Sequence, residues 1–64
     1  MSQFIKIKDL IVNKSIIKYA KVSYQDSIYY LTLQLTNDES ESVGTDDIEE
    51  ARQLLKEVYE ALQE

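Results

Sequence analysis

The spacing of the apolar residues changes once along this chain, and that change constrains the fold more than any other feature. Up to about residue 36, apolar and polar residues alternate, as they do in half-buried β-strands. From Asp46 to Gln63 the apolar residues recur at intervals of three and four, which is the pattern of one face of an α-helix. A chain of 64 residues has room for one domain. The sequence therefore predicts a single small α+β domain covering residues 1–64.

The alternating part of the sequence predicts strands at residues 4–8, 16–25 and 28–36, and a short fourth strand at 41–45. We expect residues 10–12 to continue the first strand or to bend it. A change of parity within residues 16–25 predicts a β-bulge near Tyr19 and Ala20. In the clearest strand, one face carries mostly leucine and is predicted to be the core face. Its members are Tyr29, Leu31, Leu33 and Leu35.

The helical part has a wide apolar stripe. Its predicted core residues are Ile48, Ala51, Leu54, Leu55, Val58, Tyr59 and Leu62. Thr45, Asp46 or Asp47 can cap the helix, and Asp46 with Glu49 and Asp47 with Glu50 both have capping-box spacing. We predict an antiparallel meander sheet of three to four strands, in the order β-β-β-(β)-α, with the C-terminal helix packed on one face.

The segments follow a distinctive order. Ile-Lys-Ile at 5–7 and Leu-Ile-Val-Asn at 10–13 precede two long strands, and Ser-Val-Gly-Thr at 42–45 precedes Ile-Glu-Glu-Ala-Arg-Gln-Leu-Leu at 48–55. In this order the whole chain resembles small bacterial and phage proteins that combine a half-barrel sheet with a C-terminal helix, a layout similar to a reduced pleckstrin-homology domain. The resemblance implies a fold and no activity.

Charge is divided along the chain. Residues 1–37 carry a balance of +3 and residues 38–64 a balance of −8, which together make the net charge of −5. Seven carboxylates cluster around the predicted start of the helix, and we call them the acidic surface: Asp38, Glu39, Glu41, Asp46, Asp47, Glu49 and Glu50. Their spacing does not match a calcium-binding loop. Helix capping explains four of them by position, whereas a second interpretation is that the surface imitates a phosphate backbone and inhibits a nucleic-acid-binding protein.

The basic half of the chain does not predict direct nucleic-acid binding. Its five lysines, with Phe4, Tyr19 and Tyr24 among them, could form a basic and aromatic face. The net charge is negative, however, and nucleic-acid-binding domains usually carry a strong positive balance. Lysines on strands also keep sheet edges soluble and discourage edge-to-edge pairing. These lysines are Lys6, Lys8, Lys14, Lys18 and Lys21.

Binding to another protein is the function that the sequence favours. A domain this small buries a limited core, so a second copy or a larger partner would add buried surface. The residues expected to carry the contact are Tyr19, Tyr24, Ile28 and Tyr30 on the sheet, because aromatic residues are enriched in interfaces. The same four residues are equally consistent with the scattered apolar side chains that are normal on protein surfaces.

The sequence gives little support to other classes of function. There is no histidine, no cysteine and one glycine, so the usual nucleophile–base pairs and phosphate loops have no candidate residues. We expect no enzyme, no cofactor and no metal. The first residues lack a signal-peptide pattern and the apolar runs are far shorter than the roughly 18 residues that span a membrane, so we expect a cytoplasmic protein with no membrane partner.

Overall fold

A computed structural model describes residues 3–63, so Met1 and Ser2, on which part of the signal-peptide argument depends, lie outside it. Two antiparallel sheets and one C-terminal helix make up the described part, which confirms the α+β class and the helix packed on one face. The strands are β1 Phe4–Ile7, β2 Leu10–Asn13, β3 Ile17–Gln25, β4 Ile28–Leu35 and β5 Ser40–Thr45, and the helix is α1 Ile48–Leu62.

The first sheet is a two-stranded hairpin, β1 with β2. Residues 10–12 do not continue the first strand, because the chain reverses at Lys8 and Asp9 and returns beside it, with Ile5 opposite Val12. Lys8 takes a positive φ of 53°, a conformation that alternating hydrophobicity does not reveal. Ile5, Ile7 and Val12 turn to the same side and are buried in the core. A single 3-10 turn, Lys14–Ile16, then leads into β3.

The second sheet is an antiparallel meander, as predicted, in the order β3-β4-β5. The first predicted strand is not part of it, because β1 pairs with β2 instead. Asp26 and Ser27 join β3 to β4, and both have positive φ, 54° and 68°, as the tight type I′ hairpin turn requires. The predicted bulge is present, one to two residues earlier than expected: the register shifts between Ile17 and Tyr19, which leaves Lys18 as the extra residue.

The two faces of this sheet have different environments. Leu31, Leu33 and Leu35 are buried under the helix, as predicted. Ala20, Val22 and Val43 lie on the same face and pack partly against the core. The opposite face, which we call the open face, carries Tyr19, Lys21, Ser23, Gln25, Ile28, Tyr30, Thr32, Gln34, Ser40, Ser42 and Gly44.

The helix begins at Ile48, two residues later than predicted, because Asp47 is its N-cap. The Asp47 carboxylate accepts a hydrogen bond from the Glu49 amide at 2.9 Å. The Asp47 amide donates to the Thr45 hydroxyl at 3.2 Å, where a capping box would require Glu50 to accept it. Thr45 and Asp47 therefore share the cap, and the capping-box prediction was wrong.

Two lysines join the β1–β2 hairpin region to the helix. The Lys8 ammonium lies 2.8 Å from the Glu50 carboxylate near the start of the helix and 3.4 Å from the Gly44 carbonyl. Lys14 donates to the Ala61 carbonyl at 3.3 Å in the last helical turn, where a positive charge suits the helix dipole. Two lysines of the basic half therefore interact with groups of the acidic half within the same molecule.

No helix within residues 3–63 is long and apolar enough to cross a membrane.

Candidate functional site: a groove beside the helix

An open groove of about 470 Å³ lies between the helix and β3, and it is lined mainly by apolar side chains. We call it the helix-flank groove. Its lining residues are Ala20, Arg52, Leu55, Lys56, Val58, Tyr59 and Leu62. Its volume falls within the range of about 300–1,000 Å³ that is typical of binding pockets.

The groove exists because the hairpin covers only one flank of the helix. Glu50 contacts the hairpin through Lys8. Tyr59 follows nine residues later, about two and a half turns at 3.6 residues per turn, so it lies on the opposite flank. No element within residues 3–63 covers that flank: Tyr59 is 63% exposed and Leu62 is 41% exposed. The prediction that both side chains belong to the core was wrong, because the apolar stripe of the helix is wider than the surface packed against it.

One side of the groove is formed by Ala20, which belongs to the edge strand β3. Within residues 3–63, β3 pairs only with β4, so its outer edge is free. Gln25 and Ile28 close the two-residue turn as a hydrogen-bonded pair, and hydrogen-bonded and non-bonded pairs alternate in an antiparallel ladder. The backbone groups of Lys21, Ser23 and Gln25 therefore point toward β4. The backbone N–H and C=O groups of Ala20, Val22 and Tyr24 point away from β4, toward the free edge of the sheet.

The charged side chains that line the groove within residues 3–63 are both cations, although the chain as a whole is acidic. Arg52 and Lys56 are the charged lining residues. Arg52 lies 3.9 Å from Glu49, and both side chains are largely exposed, so this ion pair contributes little to the stability of the fold. No carboxylate within residues 3–63 is within ion-pair distance of Lys56. Lys18 and Lys21 are exposed on β3.

The four residues predicted to form a contact surface do not lie together. Tyr19, Ile28 and Tyr30 are on the open face, whereas Tyr24 is on the helix side, where its ring packs 4.6 Å from that of Tyr29. Ile28 and Tyr30 are half-buried because both lie over Gly44: a Cβ at that position would come within 3.2 Å of each side chain. These two side chains therefore approach the backbone of Gly44 closely.

All seven residues of the acidic surface are exposed, but several of them already have a structural role. Asp47 caps the helix, and Glu39 accepts a hydrogen bond from the Asn37 amide group at 3.3 Å. Hydrogen bonds from Lys8 and then Thr45 hold the pKa of Glu50 below its ordinary value. In the described part of the chain, no three carboxylates converge on a point that could hold a metal ion.

Comparisons with protein-family models, with curated proteins and with solved structures found no match to this chain. The resemblance to a half-barrel layout stays a prediction. The function must be inferred from the geometry of the chain itself.

The sequence contains one signal for the groove, namely the width of the apolar stripe on the helix, all of which was predicted to be core. Leu55, Tyr59 and Leu62 are spaced by four and three residues, and they form a second line beside Ala51, Leu54 and Val58. Two parallel lines make a stripe wider than one contact surface. The β3 side of the groove had no comparable signal, because Ala20 is small and unremarkable in a strand.

Proposed function

We propose that this chain is a non-catalytic protein-binding module and that the helix-flank groove is its contact surface. The observation that carries the proposal is the exposure of Tyr59 and Leu62 beside an apolar groove. Aromatic residues are enriched at the buried centres of protein interfaces, and tyrosine is among the residues that dominate binding energy there. A partner seated in the groove would remove both side chains from water.

The groove is a stronger candidate than the open face that the sequence favoured. On the open face, Ile28 and Tyr30 already pack against Gly44 and are half-buried, and the exposed aromatic residue is Tyr19. The remaining residues there are mostly hydroxyl, amide and lysine side chains, including Thr32 and Ser42, which hydrogen-bond to each other at 3.1 Å. The open face has one exposed large apolar side chain among residues 3–63, Tyr19, whereas the flank of the helix has Tyr59 and Leu62.

The composition of the groove supports binding over catalysis. Among residues 3–63 its lining includes no carboxylate, and the chain has no histidine or cysteine, so neither the usual general bases nor the usual thiol nucleophile is available there. We extend the proposal to a protein partner in the cytoplasm, since cysteine-free composition is typical of reducing compartments.

The test is capture of a partner from native lysate by the tagged full chain, compared with Tyr59→Ala and Tyr30→Ala, the same substitution on the other surface. We expect Tyr59→Ala to lose a partner that Tyr30→Ala retains, at both low and high salt, because the contact is mainly apolar. Loss with Tyr30→Ala alone would assign the contact to the open face. A mass measurement of the purified chain in solution tells whether the partner is a second copy.

The acidic surface is the alternative site, and the exposure of all seven carboxylates favours it. As a mimic of a phosphate backbone it would inhibit a nucleic-acid-binding protein. Exposed charges are screened over about 10 Å at 0.1 M salt. A partner that is lost between low and moderate salt, and is indifferent to Tyr59→Ala, would select this alternative.

A further inference from the structure

The groove has a second binding element beside its apolar lining, namely the free edge of β3. Outward-pointing backbone groups of Ala20, Val22 and Tyr24 run along it. An exposed edge of this kind accepts an added strand, whose backbone hydrogen bonds supply affinity and whose alternate side chains supply specificity. An added strand would place every second side chain on the helix side, under Leu55, Tyr59 and Leu62. The side chains between them would lie on the open face, beside Lys21.

Charge determines which strand fits. Lys21 is exposed on the open face, Lys18 is the exposed bulge residue of β3, and Arg52 and Lys56 line the groove on the helix side. A second copy pairing through the same edge would bring the same lysine-bearing strands side by side, and like charges opposite one another destabilise a sheet. A strand whose carboxylates point to the open face would instead meet the opposite charge of Lys21.

We propose that the helix-flank groove binds an extended acidic segment of a partner protein, which adds to the outer edge of β3 as a fourth strand of the meander. Its apolar side chains alternate with acidic ones: the apolar set enters the groove between Ala20 and the helix, and the acidic set lies beside Lys21. This inference rests on the proposed function, since it names the kind of partner that the same groove takes.

The test uses the full chain and a blocked eight-residue peptide in which glutamate alternates with valine. Amide chemical shifts and hydrogen exchange are followed by NMR while the peptide is added into the millimolar range. One control peptide has lysine in place of glutamate. The other has the same composition as the first, with all its glutamates preceding all its valines.

We expect the alternating glutamate peptide to slow exchange of the outward amides of Ala20, Val22 and Tyr24 by about tenfold at saturation. The amides of Lys21 and Ser23 already donate to β4 and should change little. Protection with this period of two is the signature of strand addition, and binding at a surface would not produce it. Neither control peptide should produce it.

Two variants of equal charge change test the electrostatic part. Lys21→Glu places a carboxylate beside the added strand, and we expect the Kd of the glutamate peptide to rise about three- to tenfold, as for exchanging one exposed attraction for a repulsion. Lys6→Glu makes the same change in the separate β1–β2 sheet, on the face opposite the buried Ile5 and Ile7, and should leave the Kd within about twofold. Equal binding of the lysine peptide, or equal effects of the two variants, would overturn the assignment of an acidic partner.

The failure of this inference can be told apart from the failure of the proposed function. Shifts at Leu55, Tyr59 and Leu62 without protection at Ala20, Val22 and Tyr24 would overturn strand addition, whereas the groove would still be a binding site. Absence of any shift at either place would also overturn it. The proposed function is then judged separately, by whether Tyr59→Ala releases the natural partner.

Discussion

At the scale of single residues, the start of the helix depends on one of two adjacent aspartates. The Asp47 carboxylate accepts a hydrogen bond from the Glu49 amide at 2.9 Å, whereas the Asp46 side chain makes no hydrogen bond within residues 3–63. Sequence alone treats the two as equivalent, because either has the chemistry of an N-cap. The dihedral angles of Asp47, φ −113° and ψ 114°, give it the extended conformation that a cap requires.

We expect Asp47→Ala to lower the free energy of unfolding by about 1 kcal/mol, the usual cost of losing an N-cap side chain. Asp46→Ala should change it by less than about 0.5 kcal/mol, as for an exposed residue outside such a feature. Urea denaturation followed by circular dichroism measures both. Equal losses from the two variants would show that the negative charge near the helix start, and not the cap geometry, provides the stabilisation.

At the scale of elements, one ion pair joins the hairpin to the helix. Glu50 lies 2.8 Å from Lys8, and hydrogen bonds from Lys8 and Thr45 lower the pKa of its carboxyl group below the ordinary value of 4.5. A lowered pKa in the folded state means that the unfolded chain binds the proton more readily. The contribution of Glu50 to stability is therefore complete above pH 4.5, and it is lost as the pH falls through the lower, folded-state pKa.

Glu50→Gln should accordingly reduce the free energy of unfolding at neutral pH, and the gap between the variant and the original chain should close in acid. Urea titrations at neutral pH and at a series of values below pH 4.5 measure that gap. Glu60→Gln is the matched control, since Glu60 is exposed on the same helix and makes no ion pair within residues 3–63. A gap that is constant with pH would mean that the interaction is not electrostatic.

At the scale of the whole molecule, two neighbouring helical residues have different roles, one in the stability of the fold and the other in the proposed binding. Val58 is buried between the helix and the sheet, and Tyr59 is largely exposed over the groove. A small domain has only a few kcal/mol of stability, roughly 0.05–0.15 kcal/mol per residue. The loss of a buried aliphatic group is therefore a large fraction of the total, whereas the loss of an exposed ring is not.

We expect Val58→Ala to cost about 2 kcal/mol, from lost burial and the cavity left behind. Tyr59→Ala should cost less than about 0.5 kcal/mol, although tyrosine is the larger side chain. Thermal unfolding of the two variants checks the order. If Tyr59→Ala proved as damaging as Val58→Ala, the tyrosine would belong to the core and the proposed contact surface would lose its central residue.

Local patterns were enough for the strands β3, β4 and β5, for the core leucines and for the helix. Leu31, Leu33 and Leu35 alternate so regularly that a one-residue slip would expose them all, and the structure buries all three. The parity change before Ala20 located the bulge to within two residues. Local patterns did not locate the reversal at Lys8, since Lys8 has a positive φ without being one of the residues that usually adopt it.

By itself, the sequence determined the fold class, the core leucines of β4, the turn at Asp26 and Ser27 and the region where the helix begins. These features depend on side-chain periodicity and on backbone preferences, which act between residues close in the chain. Only the tertiary structure decided which flank of the helix the hairpin covers, and therefore that Tyr59 and Leu62 face a groove and not the core. The helical stripe specifies which residues seek burial, but the area available to bury them is set by elements distant in sequence, here the hairpin, which is joined to the helix through Lys8 and Glu50.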